Sequence, residues 1–301
     1  MNPRVIGIAS TLRDQFLGPS TTSEISIFLC GGAGDHEAGL RKKVGAALSA
    51  LKSKYRYSTF YPEDMFMELV LGHQKLDLLT LENLLAKSVS SVVILLHSAG
   101  TLTELGAFSN HGQLKDKLVV VMDPKHKKSN SFISTGPIRL LQKSTSSHVL
   151  FIKMDEANLD QLVKGISEAS RAIASAHPPV RDLTNAIVCY GLYLSLLYVL
   201  DPVPRWAFSD IASTLEPGSA EEAKICAETC VNGLINNGDA LLVSQNVTIS
   251  RKGVEKLFAD TGTARRASDL KRVLSDLRIS ALNGQLRKRY KRFWERRAVL
   301  S

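Results

Sequence analysis

The sequence predicts an α/β protein: a parallel sheet covered by helices on both faces, followed by a mostly helical domain. Three observations carry this reading. Runs that are apolar without alternation, such as "ISIFLC" (25–30) and "SVVILLHS" (91–98), mark strands buried on both sides. Stretches with helical apolar spacing separate those runs, which is the order of a parallel sheet with crossover helices. After the paired prolines of "ASAHPPVRDL" (174–183) the pattern changes to helices and one short hairpin.

The elements follow in order. The first strand breaks into "GGAGD" (31–35), and "GLRKKVGAALSALKS" (39–53) then places Leu40, Val44, Ala47, Leu48 and Leu51 on one helical face. "YSTFYPED" (57–64) is a second strand closed by Pro62 and two acids, and "LDLLTLENLLAKSV" (76–89) is a helix. Strand 91–98 runs into a small-residue turn and helix, "SAGTLTELGAFSN" (98–110), and "KLVVVMD" (117–123) and "HVLFIKMD" (148–155) supply two more strands. The whole reads as a Rossmann-like (flavodoxin-like) domain over residues 1–175. Beyond it, "AIVCYGLYLSLLYVL" (186–200) has 15 residues, short of the roughly 20 needed to cross a bilayer, so it predicts a buried helix. Helices over 208–215 and 219–239, the second ended by Asn236-Asn237-Gly238, precede the hairpin "LLVSQNVTIS" and a further helix. That order is the layout of a winged helix-turn-helix, here over 176–301.

Composition narrows the class. With 44% hydrophobic and 22% charged residues, the chain is globular rather than disordered. Residues 262–301 hold twelve Lys/Arg and three Asp/Glu, equal to the net +9 of all 301 residues, so the remainder is formally neutral. The positive charge is therefore a property of the C-terminal segment. Cys30, Cys189, Cys226 and Cys230 form no C-x-x-C pair and read as buried free thiols of a cytoplasmic protein. "MNPRVIGIASTLRDQF" lacks the apolar core of a signal peptide, and no membrane association is expected.

In an open parallel sheet, ligands bind beyond the carboxyl ends of the strands. Three segments reach that edge: Gly31, Gly32 and Asp35 after the first strand, Glu63 and Asp64 after the second, and Ser98, Gly100, Thr101 and Glu104 after the third. Two roles fit Glu104. Thr101 and Glu104 have the spacing of an S/T-x-x-E capping box, and a carboxylate beside a glycine turn also suits a nucleophile or a ribose-binding group. "GGAGD" is neither G-x-G-x-x-G nor a lysine-bearing phosphate loop, which excludes a kinase or ATPase. His97, His111 and His126 read as surface or turn histidines.

"IFLCGG", "YPEDMF", "AGTLTELGAFSN" and "KLVVVMDPKHKKSNSFISTGPIRLL" together resemble the nucleoside 2-deoxyribosyltransferase-like effectors encoded in bacterial retrons, over roughly residues 24–155. The C-terminal part resembles the same effectors in layout. In that superfamily the glutamate of the Glu-Leu-Gly motif attacks the anomeric carbon of a nucleoside, and the resemblance maps it to Glu104. It implies an N-glycosidase acting on NAD⁺ or related nucleotides, with no cofactor beyond that substrate and no metal. The activity would stop phage growth and be held silent by a reverse transcriptase and its multicopy single-stranded DNA. Leu102 and Thr103 stand where true transferases carry an aspartate-rich approach, so hydrolysis replaces base exchange. Asp64 would orient or protonate the leaving base. Gly31, Gly32 and Asp35 would hold ribose or phosphate, and Asn110 would complete the site of a neighbouring subunit in a homo-oligomer.

Alternative readings differ in class. A cytokinin-activating-type phosphoribohydrolase would need "PGGxGT", of which "HSAGT" supplies the last two positions. A nucleic-acid-binding regulator, whose α/β domain only senses a nucleotide, would rest on the winged helix and on "RKRYKRFWERR" (287–297). There Arg287, Lys288, Arg289, Lys291 and Arg292 would contact phosphates, and interleaved aromatics would stack on bases.

Overall fold

The computed structural model describes residues 2–17, 23–32, 35–62, 78–128, 131–143, 146–259 and 264–286. The chain divides into two compact units, one over residues 20–180 and one combining 1–19 with 181–301.

The 20–180 unit is a five-stranded, all-parallel sheet of β1 (Ser23–Cys30), β2 (Tyr55–Phe60), β3 (Ser91–Leu95), β4 (Leu118–Met122) and β5 (His148–Phe151), in the order β2-β1-β3-β4-β5. Every residue of β3 and β4 is buried, as apolar runs without alternation require. Ile25, Ile27, Leu29, Val93, Leu95, Val119 and Val121 point to one face. There they pack on α2 (Asp35–Ser49), through Leu40, Val44 and Leu48, and on α6 (Leu159–Ala176), through Leu162, Ile166 and Ile173. Among the described residues, the crossover helices between β2 and β5 are α3 (Leu78–Ser88), α4 (Ala99–Asn110) and the short α5 (Arg139–Lys143), which a wide π-type turn around Pro137 leads into. Chain order along the sheet reverses at β1, so β1 and β3 are neighbours whose connections leave in opposite directions. The crevice at their carboxyl ends is where this arrangement places ligands.

A buried lysine finishes α3. Lys117 is 7% exposed and donates to the carbonyls of Ala86 (2.7 Å) and Val89 (2.8 Å), groups that a helix end leaves without intrahelical partners. Burial pulls its pKa from 10.5 to about 8. Between those values the unfolded chain binds the extra proton, so stability rises with pH across that window. Lys117→Met leaves two buried carbonyls without donors and is expected to cost about 2–4 kcal/mol in urea unfolding at pH 7.5. The variant should also lose part of the rise in stability between pH 8 and 10.5.

The second unit centres on α7 (Ala186–Leu200), apolar all round and packed against α1 (Pro3–Leu17), α9 (Ala220–Asn236), α10 (Arg251–Ala259) and α11 (Ala264–Leu286). Tyr193 meets Phe208 of α8 (Arg205–Leu215) edge to face at 5.3 Å. Beside these helices lies a small antiparallel sheet in the order β6-β8-β7, from β6 (Val203–Pro204), β7 (Ala240–Val243) and β8 (Asn246–Ile249). The β7–β8 turn holds Ser244 at φ 57, and Gly238 at φ +70 ends α9 after Asn236 and Asn237, as the sequence predicts.

The units divide at 180/181, where the sequence reading put 175/176, and the first residues go with the C-terminal unit. Residues 3–17 form a helix that the sequence analysis did not assign, and it joins the C-terminal unit rather than the sheet. Its Val5, Ala9 and Leu12 recur at helical spacing and are fully buried, and the Phe16 ring crosses Gly191 so closely that a Cβ there would lie 2.7 Å from it. All four cysteines are buried and free, as expected. Among the described residues no helix is long and apolar enough to cross a membrane, and no cluster of His, Cys, Asp or Glu could hold a metal ion.

Candidate active site

Glu104 lies in the second turn of α4, the helix that leaves the carboxyl end of β3. The cap of this helix is made one turn earlier than the Thr101–Glu104 spacing suggests. Ser98, in extended conformation, is the N-cap: its Oγ accepts from the Thr101 N–H (3.3 Å), and the Thr101 Oγ1 accepts in return from the Ser98 N–H (3.0 Å). Thr101 thus takes the place that glutamate holds in the usual capping box. The capping role proposed for Glu104 is thereby removed, because the cap is complete without it. The Glu104 side chain is half-buried, and its Oε2 is shielded from solvent.

Gly31 and Gly32 leave β1 beside this helix start, since Cys30 of β1 pairs with Ile94 of β3. Gly31 is there for close approach: a Cβ would stand 2.8 Å from Cδ of Arg41. Arg41 is 5% exposed, and its guanidinium lies over the Tyr61 ring at 5.3 Å. This buried arginine is not legible in the sequence, where in "GLRKKVGAAL" it reads as one of three solvated charges. Asp35 begins α2, but its side chain lies outside the described ones, as do Glu63, Asp64 and the tail residues Arg287, Lys288, Arg289, Lys291 and Arg292. Ser98, Gly100 and Thr101 gather at the start of the helix that carries Glu104. Asn110 ends that helix, exposed and six residues beyond Glu104, about 9 Å further along the axis at the rise of an α-helix.

The histidines separate by role. His111 is buried and its Nδ1 accepts from the N–H groups of Gln113 (3.3 Å) and Leu114 (3.2 Å), a turn histidine as read from sequence. His126 is exposed. His97 instead borders a cavity of about 300 Å³ beyond the ends of β3, β4 and β5, which Leu40, Leu96, Asp123, Lys125, His126, Lys153 and Met154 also line. Asp123 caps the turn at 124–126 by accepting from the Lys125 N–H (2.9 Å), and this hydrogen bond holds its carboxyl below the usual carboxylate range. Lys153 pairs with Asp155 at 3.0 Å. The only trace of this cavity in the sequence is the basic run "KHKK" (125–128) after a strand.

The profile of the STM3845 retron effector proteins matches residues 37–227, from α2 into α9. The chain belongs to this retron effector family. Two Escherichia coli relatives agree. "Retron Ec86 putative ribosyltransferase/DNA-binding protein" is 29% identical over 277 residues, covering 88% of this chain and 87% of the relative. "Retron Ec73 putative ribosyltransferase/DNA-binding protein" is 32% identical over 168 residues, 53% of this chain and 50% of the relative. As a retron effector the protein carries its Glu104 helix and the cavity within the matched span.

Proposed function

We propose that this retron effector is an N-glycosidase that hydrolyses the bond between C1′ of ribose and the base of NAD⁺ or a related nucleotide, with Glu104 as the catalytic carboxylate. The observation that supports it most is the placement of Glu104: half-buried, relieved of capping, on the helix that opens at the carboxyl edge of β3 where the order of strands reverses. Breaking the C1′–N bond sends its electron pair to the base and leaves an oxocarbenium-like sugar. An ionised carboxylate meets that need by attacking C1′ or by its charge. Water then bonds to C1′ and releases one proton. Nicotinamide leaves from a ring that already carries positive charge, so its departure requires no general acid, and the role assigned to Asp64 matters less for this substrate than for others.

The strand order β2-β1-β3-β4-β5 supports a flavodoxin-like, Rossmann-type catalytic domain. The succession α8, α9, the three-stranded β6-β8-β7 sheet and α10 supports a winged helix-turn-helix. The names of both relatives combine ribosyl transfer with DNA binding. We extend this pairing to the present chain: the winged helix and basic tail dock on the retron's reverse transcriptase and its multicopy single-stranded DNA, which keep the glycosidase silent. Asn110, exposed at the far end of α4, serves a neighbouring subunit in an oligomer.

Incubating the purified chain with NAD⁺ and separating the products by chromatography tests the activity. Nicotinamide and ADP-ribose are expected in equal amounts. Intact NAD⁺ beside cleaved nucleosides would reassign the substrate, and no base release from either would leave the nucleotide-sensing regulator.

A further inference from the structure

The cavity beyond β3, β4 and β5 is built by three loops and the start of one helix, and its chemistry is lopsided. Its floor is apolar: Leu40 and Met154 belong to the core between the sheet and its covering helices, and Leu96 continues β3. Among the described residues its charged lining is Lys125, His126 and Lys153 with one carboxylate, Asp123, and His97 borders them. That carboxylate is engaged with the backbone of its own turn, and its oxygen stands 3.7 Å from the Lys125 ammonium. Asp155, which holds Lys153, also accepts from the Asn158 N–H (3.1 Å) and side-chain amide (2.6 Å). The side chains of Lys125 and Lys153 are 70% and 69% exposed, so both heads can turn toward a ligand. Exposed ion pairs of this kind are weak and are readily exchanged for a doubly charged anion. Cations around an apolar floor concentrate the field on whatever anion enters.

The loop that ends β3 links this cavity to Glu104. His97 lines the cavity, and the next residue, Ser98, caps the Glu104 helix. Glu104 itself is not part of the lining. A ligand with a glycosidic bond at one end and phosphate at the other matches two adjacent subsites, one for sugar and one for anion. A volume of about 300 Å³ suits part of a small molecule.

We propose that this cavity is a phosphate subsite, in which Lys125, Lys153 and His126 hold the phosphate or pyrophosphate of a nucleotide, so that the chain selects nucleotides over nucleosides. That the anion belongs to a nucleotide rests on the glycosidase reading of Glu104. The anion site itself does not.

Calorimetric titration of full-length Glu104→Gln protein, in which substrate is not consumed, provides the test. Inorganic pyrophosphate is expected to bind and to compete with AMP, and AMP should bind at least tenfold tighter than adenosine. Lys125→Gln/Lys153→Gln in the same background should lose at least tenfold in pyrophosphate affinity and bring AMP down toward adenosine. Both side chains are exposed, so the unfolding midpoint should stay in place. Equal binding of AMP and adenosine, or pyrophosphate affinity unchanged in the double variant, overturns the proposal. So does a double variant that loses only single-stranded oligonucleotide, which would make the surface a nucleic-acid contact. Pyrophosphate binding without base release from any nucleotide would sink the glycosidase reading and keep the subsite. Turnover of NAD⁺ with an unchanged KM by Lys125→Gln/Lys153→Gln in a chain that keeps Glu104 would do the reverse.

Discussion

Glu104→Gln is expected to lower base release from NAD⁺ at least a thousandfold, about 4 kcal/mol of transition-state stabilisation, while shifting the unfolding midpoint by no more than about 1 °C. The substitution keeps the size and hydrogen-bonding capacity of the side chain and removes its charge. A structural role for Glu104 would predict the opposite pattern, with stability lost and activity following it down. The geometry at the head of α4 disfavours that outcome, because Ser98 and Thr101 satisfy each other and complete the cap without a glutamate. The measurement pairs product release with thermal unfolding on the same preparation. If the variant melts several degrees lower and its residual activity tracks the folded fraction, Glu104 is a packing residue and the catalytic group lies elsewhere. If it is stable and fully active, the reaction does not pass through this carboxylate.

The sheet was legible because its strands are buried on both sides. "SVVIL" and "LVVVM" have no polar alternation to confuse with an exposed strand, and the glycines and small residues at their ends mark where the backbone turns. The cap of α4 was harder. "SAGTLTE" contains two overlapping spacings, Ser98 with Thr101 and Thr101 with Glu104, and propensity favours the one that ends in glutamate. The choice fell to Ser98 because β3 ends at Leu95 and the helix can begin at once, so the local pattern was decided by where the strand stops. Helix α1 escaped for another reason. Val5, Ala9 and Leu12 have the right period, but the surface they cover lies on α7, some 180 residues later, and a single short stripe does not announce such a partner. The cavity is the extreme case. Its polar residues come from positions 97, 123–126 and 153, a spacing with no period, and only the parallel topology, which gathers the carboxyl ends of β3, β4 and β5 on one edge, brings them together. Lys117 was likewise unreadable, since nothing in "LKDKLVVV" says which of two lysines turns inward to finish another helix.

Gly253 offers the sharpest contest between propensity and packing in the C-terminal unit. It lies in the first turn of α10, where helix propensity alone predicts that Gly253→Ala stabilises the protein by up to about 1 kcal/mol. A Cβ at this position, however, would stand 2.0 Å from the carbonyl oxygen of Asp239 and 3.1 Å from a methyl of Leu194. The carbonyl cannot step aside cheaply. It accepts from the Ser250 N–H (3.0 Å), while the Asp239 N–H donates to the Leu234 carbonyl (2.9 Å). The Asp239 side chain is fully buried and anchored by the Tyr190 hydroxyl (2.5 Å) and the Lys256 ammonium (2.8 Å). Burial of the ring, with that carboxylate beside it, holds the Tyr190 proton far above the ordinary phenol range, which keeps it a donor to Asp239 at any working pH. Alanine must therefore lift α10 from α7 or pull Asp239 from its partners. Overpacking alone costs about 1–3 kcal/mol, and weakening a hydrogen bond to the buried Asp239 carboxylate about 1–3 more. A loss of about 2–5 kcal/mol is expected, read from urea unfolding by the fluorescence of Trp206 in α8 of the same unit. A gain in stability would mean that the Asp239 backbone is free to yield and that α10 is held by its propensity rather than by this contact.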